Sequence, residues 1–175
     1  MSRWTTGLTV MAIAVLVGVG RTAVAQDPAP ADPARRSHIA LTGMARMTVT
    51  RALHGAMRRL STPECQRLFE DFTDQSGRAL VTNLAATESA ANVLAALYFV
   101  DGDDTVQCRT DRIVAAFTTP GSHVIHVCGQ RFNQFTVMSR SGEILLIHEL
   151  LHSLGLGENP PTSARITAAV MNRCR

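Results

Sequence analysis

Residues 141–158 read SGEILLIHELLHSLGLGE, and this stretch decides how the rest of the chain is read. An apolar run beginning at Ile144-Leu145-Leu146-Ile147 and ending at Gly155 predicts a helix buried in the core. Ser141 is available as its N-cap and Gly155 as its C-terminal glycine. His148 and His152 stand four residues apart, about one helical turn, so both imidazoles leave one face and can bind one Zn²⁺. Glu149 is the next residue along. It points to the side of the metal, where it can take a proton from a bound water. Two histidines and a glutamate on a leucine-rich buried helix are costly without a metal or partners.

A catalytic zinc usually has three protein ligands and one open position. After His152 the chain holds no further His or Asp, and the only downstream carboxylate side chain is Glu158. Gly155 and Gly157 lie between them, and glycine allows a sharp turn that brings Glu158 back to the metal. A third ligand on a separate long helix further on is excluded, because no such carboxylate exists. The expected set is therefore His148, His152 and Glu158 around one Zn²⁺ per chain. His123 or His126 is the alternative third ligand.

Upstream, the pattern reads as α+β. Residues 37–60 predict a helix, with Leu53, Met57 and Leu60 on one face. His38 and His54 fall here as surface or packing residues. Thr62-Pro63 starts a second helix, and Cys65, Leu68, Phe69 and Phe72 form its apolar stripe as far as Gly77. Residues 78–97 predict a broken helix, and residues 97–100 (LYFV) a strand ended by Asp101-Gly102. Asp101, Asp103, Asp104 and Asp111 read as an acidic turn, since a calcium loop needs further oxygen ligands at fixed offsets. Residues 112–118 and 123–128 flank Pro120-Gly121 as an antiparallel hairpin. In its second strand His123 and His126 point to opposite faces. Ile166, Val170 and Cys174 repeat every four residues in a last helix.

The chain has 175 residues, 46% hydrophobic and 18% charged, a globular balance for one domain. All 17 basic residues are arginine, which excludes lysine chemistry. Arg3 precedes an apolar run from Leu8 to Val19, and Ala23-Val24-Ala25 follows. This is the layout of a signal peptide over residues 1–25, cleaved after Ala25. The run is about 12 residues, short of the ~20 of a membrane span, so no stable anchor remains after cleavage. Losing Arg3 and Arg21 leaves the basic count one above the 14 acidic residues. With no arginine cluster interleaved with aromatics, a nucleic-acid partner is excluded. Residues 26–36 are a Pro/Ala-rich linker, and residues 37–175 form the folded domain. Cys65, Cys108, Cys128 and Cys174 all lie in that domain. An even number in an exported chain predicts two disulfides. Of the three pairings, Cys108 with Cys128 would clip the hairpin, and Cys65 with Cys174 would tie the C-terminus to the early helices.

The segment HELLHSLGLGE, residues 148–158, resembles the HExxHxxGxxH signature of the metzincin metallopeptidases. The match covers these eleven residues. It implies a zincin-like domain, zinc on His148 and His152, Glu149 as general base and Gly155 at the bend. Glu158 stands where the family has histidine. The wider stretch is also similar to small exported bacterial proteins described as zinc peptidases. The resemblance implies a secreted or periplasmic zinc peptidase acting on peptide or protein substrates. The family's methionine turn has no clear counterpart, because Met171 falls in the last helix. Tyr98, the single tyrosine, lies far upstream. A non-enzymatic exported protein with a structural or degenerate zinc site is the alternative, and a hydrolase of other amides a third reading. Oligomeric state is not legible in the sequence.

Overall fold

A computed structural model of the protein describes residues 38–84, 88–136 and 140–175. Everything described lies in one unit, Ala31–Arg175. The signal peptide and the linker expected over residues 1–36 lie outside the described residues.

The fold is α+β. The first element corrects the sequence reading. Residues 38–40 are not helical but form a short strand, β1 (His38–Ala40), and the helix α1 runs only over Gly43–Leu60. Three residues carry too little pattern to announce a strand, and β1 exists because Ile39 pairs with Phe99 of a distant strand. Within α1, Val49, Leu53, Ala56, Met57 and Leu60 are buried at helical spacing, as the sequence predicts.

Thr62 caps α2 (Pro63–Gln66) by accepting from the Cys65 N–H, with Pro63 at the first position. The stripe Cys65, Leu68, Phe69 and Phe72 is buried. The expected broken helix over 78–97 resolves into a 3₁₀ turn, Leu80–Asn83, and α3 (Ala90–Ala96). Strand β2 (Tyr98–Asp101) follows, close to where it was read. Two elements were not foreseen: α4 (Val106–Thr110) and α5 (Gly129–Thr136). Between them lie β3 (Ala116–Phe117) and β4 (Val124–Val127), then α6 (Ser141–Ser153) and α7 (Ser163–Arg173).

The sheet is mixed, with order β1-β2-β4-β3. The hairpin at Pro120-Gly121 is present, but within this sheet, among the described residues, β3–β4 alone is antiparallel; β1–β2 and β2–β4 are parallel. An antiparallel sheet was expected because a hairpin is local and leaves a turn signal, whereas a parallel crossover leaves none. Consequently β3 is an edge strand. Helix α6 packs on α1, α3, α5, α7 and β3, so it is enclosed on most sides. Gly55 permits the close approach of α1 and α6: a Cβ there would overlap Glu143, whose carboxylate pairs with Arg59 at 2.5 Å.

Both disulfides form as paired above. Cys65–Cys174 joins α2 to the end of α7, and Cys108–Cys128 joins α4 to the end of β4. No cysteine is free, the usage of an oxidising compartment. Among the described residues, no helix is long and apolar enough to cross a membrane. The two bridges close segments of 109 and 20 residues; loop entropy assigns them about 5 and about 3 kcal/mol. Replacing Cys65 and Cys174 by serine should therefore cost more in urea unfolding than replacing Cys108 and Cys128. A larger loss from the shorter bridge would overturn that ranking.

Candidate metal centre

Leu146, Ile147, Leu150 and Leu151 are all fully buried on α6, so the helix is held by packing around most of its circumference. Its N-terminus differs from expectation. Ser141 is already helical, Arg140 takes the cap position, and no side chain caps the helix. The first-turn Glu143 faces the positive end of the helix dipole instead.

The C-terminus is as expected and more specific. Gly155 adopts φ +104°, which an L side chain resists. Its N–H donates to the His152 carbonyl at 2.8 Å, and the Leu156 N–H to the Leu151 carbonyl at 3.0 Å. This pair of bonds is a Schellman cap, sealed by the buried side chains of Leu151 and Leu156. The cap reverses the chain and returns Glu158 to the face that carries the histidines.

The three expected ligands meet. His148 Nε2 and His152 Nε2 are 3.0 Å apart, and Glu158 Oε1 lies 3.6 Å from the first and 3.3 Å from the second. The circumradius of that triangle is about 1.9 Å, close to the ~2.0–2.2 Å of bonds from a metal to imidazole nitrogen and carboxylate oxygen. The group could hold a metal ion, and it is the one such group among the described residues. Both histidines are buried, while the Glu158 side chain is 40% exposed.

Each imidazole is oriented through its other nitrogen. His152 Nδ1 donates to the Leu156 carbonyl at 2.8 Å, which leaves Nε2 with its lone pair for a cation. His148 Nδ1 is 3.0 Å from Thr167 Oγ1 of α7. Burial, then the neighbouring His152, holds the His148 imidazole down to about 4, with Glu158 acting in the opposite direction. It is therefore neutral at neutral pH, the form a metal needs.

Glu149 lies in the same cleft and is buried. Burial, and then the charge of Glu158, push its carboxyl well above the ordinary range, against the Thr118 backbone N–H that bonds it. Its Oε2 is buried with no hydrogen-bond partner. The cleft measures about 540 Å³ and is walled by residues Val114 to Thr118 of the β3 edge.

The other candidates fall elsewhere. His126 stacks on Phe117, its ring centroid 4.9 Å away, and His123 lines a neighbouring cleft. Neither joins the ligand group, so the alternative third ligands are set aside. Tyr98 stacks on His38 at the far strand. Met171 is 58% exposed on α7, so it is not a turn beneath the ligands. The acidic residues form turn contacts: Asp101 accepts from the Asp103 N–H, Asp103 from the Gly129 N–H, and Asp111 from the Ile113 N–H. Sequence reasoning missed Thr167. Its only signal is its place beside Ile166 on the inward side of the last helix. The chain matches no protein-family model, no curated protein and no solved structure.

Two tests follow from this geometry. Thr167→Val should weaken metal binding about tenfold by freeing the His148 ring, and Thr167→Ser should restore it; unchanged affinity in the valine variant removes that role. The second concerns pH. The unfolded chain binds the His148 proton near 6.5 and the folded chain near 4. The metal-free protein should thus lose stability as pH falls through that window. Glu149's shift has the opposite sign, so the readout is the difference in urea midpoint between wild type and His148→Gln. Parallel pH curves for the two would contradict the assignment.

Proposed function

We propose that this protein is an exported zinc-dependent peptidase with a zincin-like active site. The observation that carries this reading is the buried, unpartnered Oε2 of Glu149 in the cleft that holds the His148–His152–Glu158 triangle. Two imidazoles and a carboxylate suit zinc, and three protein ligands are the number found in hydrolytic zinc sites. The exposure of Glu158 and the cleft beside it support an open fourth position. Two disulfides and the signal-peptide layout of residues 1–25 support export.

Zinc bound here supplies Lewis acidity toward a water and a carbonyl. The chain's own groups move the proton. Glu149 Oε2 accepts it from the attacking water, while the Thr118 N–H holds the carboxylate in register. The raised affinity of the buried carboxyl for a proton lets it hold that proton and then pass it to the leaving amine nitrogen as the C–N bond breaks. Hydrolysis of one peptide bond then yields one carboxylic acid and one amine. The edge position of β3 favours a peptide over other amides. An extended chain laid along Ala116 and Phe117 adds a strand and crosses the cleft in front of Glu149.

The test compares the oxidised, signal-free protein with its Glu149→Gln variant. Wild type should hold about one zinc per chain and cleave members of a mixed peptide library. Glu149→Gln should keep the zinc and lose turnover by at least ~10²-fold. Cleavage retained in that variant would sink the base assignment. One zinc with no cleavage by wild type would leave a non-enzymatic binding protein or a hydrolase of other amides.

A further inference from the structure

A buried acid lies behind the ligand turn, and the proposed chemistry does not use it. Asp74 is 9% exposed. Its Oδ1 accepts from the Ser76 N–H at 2.9 Å, the Ser76 hydroxyl at 2.6 Å and the Arg78 N–H at 2.9 Å. Its Oδ2 accepts from Arg78 Nε at 3.0 Å and Asn83 Nδ2 at 3.1 Å. These donors hold the carboxylate well below the usual range, so it is a fixed anion within a tight loop.

The loop's outward contacts go to the end of α6. Asn83 Nδ2 also donates to the Leu154 carbonyl at 2.8 Å, and the Gln75 N–H donates to the Gly155 carbonyl at 3.2 Å. These are the first two carbonyls past the helix, where an α-helix leaves acceptors unsatisfied. A Cβ on Gly155 would stand 3.1 Å from the Asp74 Cβ, and one on Gly157 would stand 3.4 Å from Gln75 Cγ. The loop therefore covers both glycines of the turn. Glu158 leaves that turn one residue later.

We propose that the Asp74–Asn83 bridge is the positioning element for the third metal ligand. Through it Asn83 grips the Leu154 carbonyl, the neighbouring Gln75 N–H holds the Gly155 carbonyl, and the direction in which Glu158 returns to His148 and His152 is fixed. The Schellman cap alone ends at Leu156, two residues short of Glu158, and over the remaining distance the Gln75 side chain of the loop lies against Gly157. Asn83 is suited to this because its amide nitrogen carries two hydrogens, one for Asp74 and one for Leu154. This proposal rests on the metal reading of His148, His152 and Glu158.

The test is a double-mutant cycle on zinc affinity in the full oxidised protein, measured by chelator competition. Its members are wild type, Asn83→Ala, Glu158→Ala and the double variant. Asn83→Ala should weaken zinc binding about tenfold, the size of effect found when an outer-shell partner is lost. In the Glu158→Ala background the same change should have no further effect. Equal losses in both backgrounds would mean that Asn83 merely supports the fold, and no loss in the single variant would remove the bridge's role. Should Asn83→Ala fail to fold by circular dichroism, Asn83→Ser reads the same cycle, because its short hydroxyl cannot span both acceptors. No zinc bound by wild type would overturn the metal reading and this proposal with it. Zinc bound by wild type and weakened by Glu158→Ala, with Asn83→Ala unchanged, would overturn this proposal alone.

Discussion

Two imidazole nitrogens 3.0 Å apart inside a protein must have something between them. The Leu156 carbonyl takes the Nδ1 proton of His152, so the Nε2 of that ring presents a lone pair. A second lone pair at this distance repels it. Either His148 donates a proton across the gap, with the Thr167 hydroxyl turned to supply its Nδ1, or a cation fills the space. The rest of the structure keeps this contact in place. Leu156 stands under His152 because Gly155 turns the chain. Thr167 stands beside His148 because α7 packs on α6 and is pinned at its end by Cys65–Cys174.

Helix α6 breaks the rule that a buried helix is apolar throughout. His148, Glu149, His152 and Ser153 are all buried on it. Ser153 satisfies itself by donating to the Leu150 carbonyl at 2.8 Å. The two histidines are satisfied on their outer nitrogens. Glu149 has only the Thr118 N–H and one orphaned oxygen. An unsatisfied buried oxygen costs about 1–3 kcal/mol, and a fold under no demand for it would place leucine there. Where local rules fail on one face of one element, a site is the physical explanation that needs least.

How much of this was legible in the residues depended on whether the signal was local. Helix α6, its glycine stop and the convergence of His148, His152 and Glu158 could be read because one short stretch contains them all. Two disulfides could be read from the four cysteines; their number left three pairings open, and the preferred one is the one that forms. The N-cap at Ser141 misled: Ser141 is already helical, and Arg140 takes the cap position without a side-chain bond. Strand β1 and the parallel sheet order were hidden, because Ile39 meets Phe99 only across 59 intervening positions. Helices α4 and α5 are too short to show a period. Thr167 and Asn83 act through single hydrogen bonds to residues 19 and 71 positions away, and no local pattern marks such a residue.

A glutamate beside the two histidines, in a group that could hold a metal ion, sets the charge of the cleft. Glu158 contributes the one carboxylate charge beside the two imidazoles. That charge bears on Glu149, raising the affinity of its carboxyl for a proton beyond what burial does. A divalent cation in the triangle reverses the sign of the neighbouring charge from minus one to plus one. An adjacent positive charge favours the ionised carboxylate, so loading the site favours the proton-accepting form of Glu149. A third histidine would leave the metal-free site uncharged at that position. The protonation of Glu149 would then depend on burial and the Thr118 N–H before a cation arrived. In the proposed reading, ligand and base are thus coupled through Glu158, and the accuracy with which the turn places that one side chain bears on both.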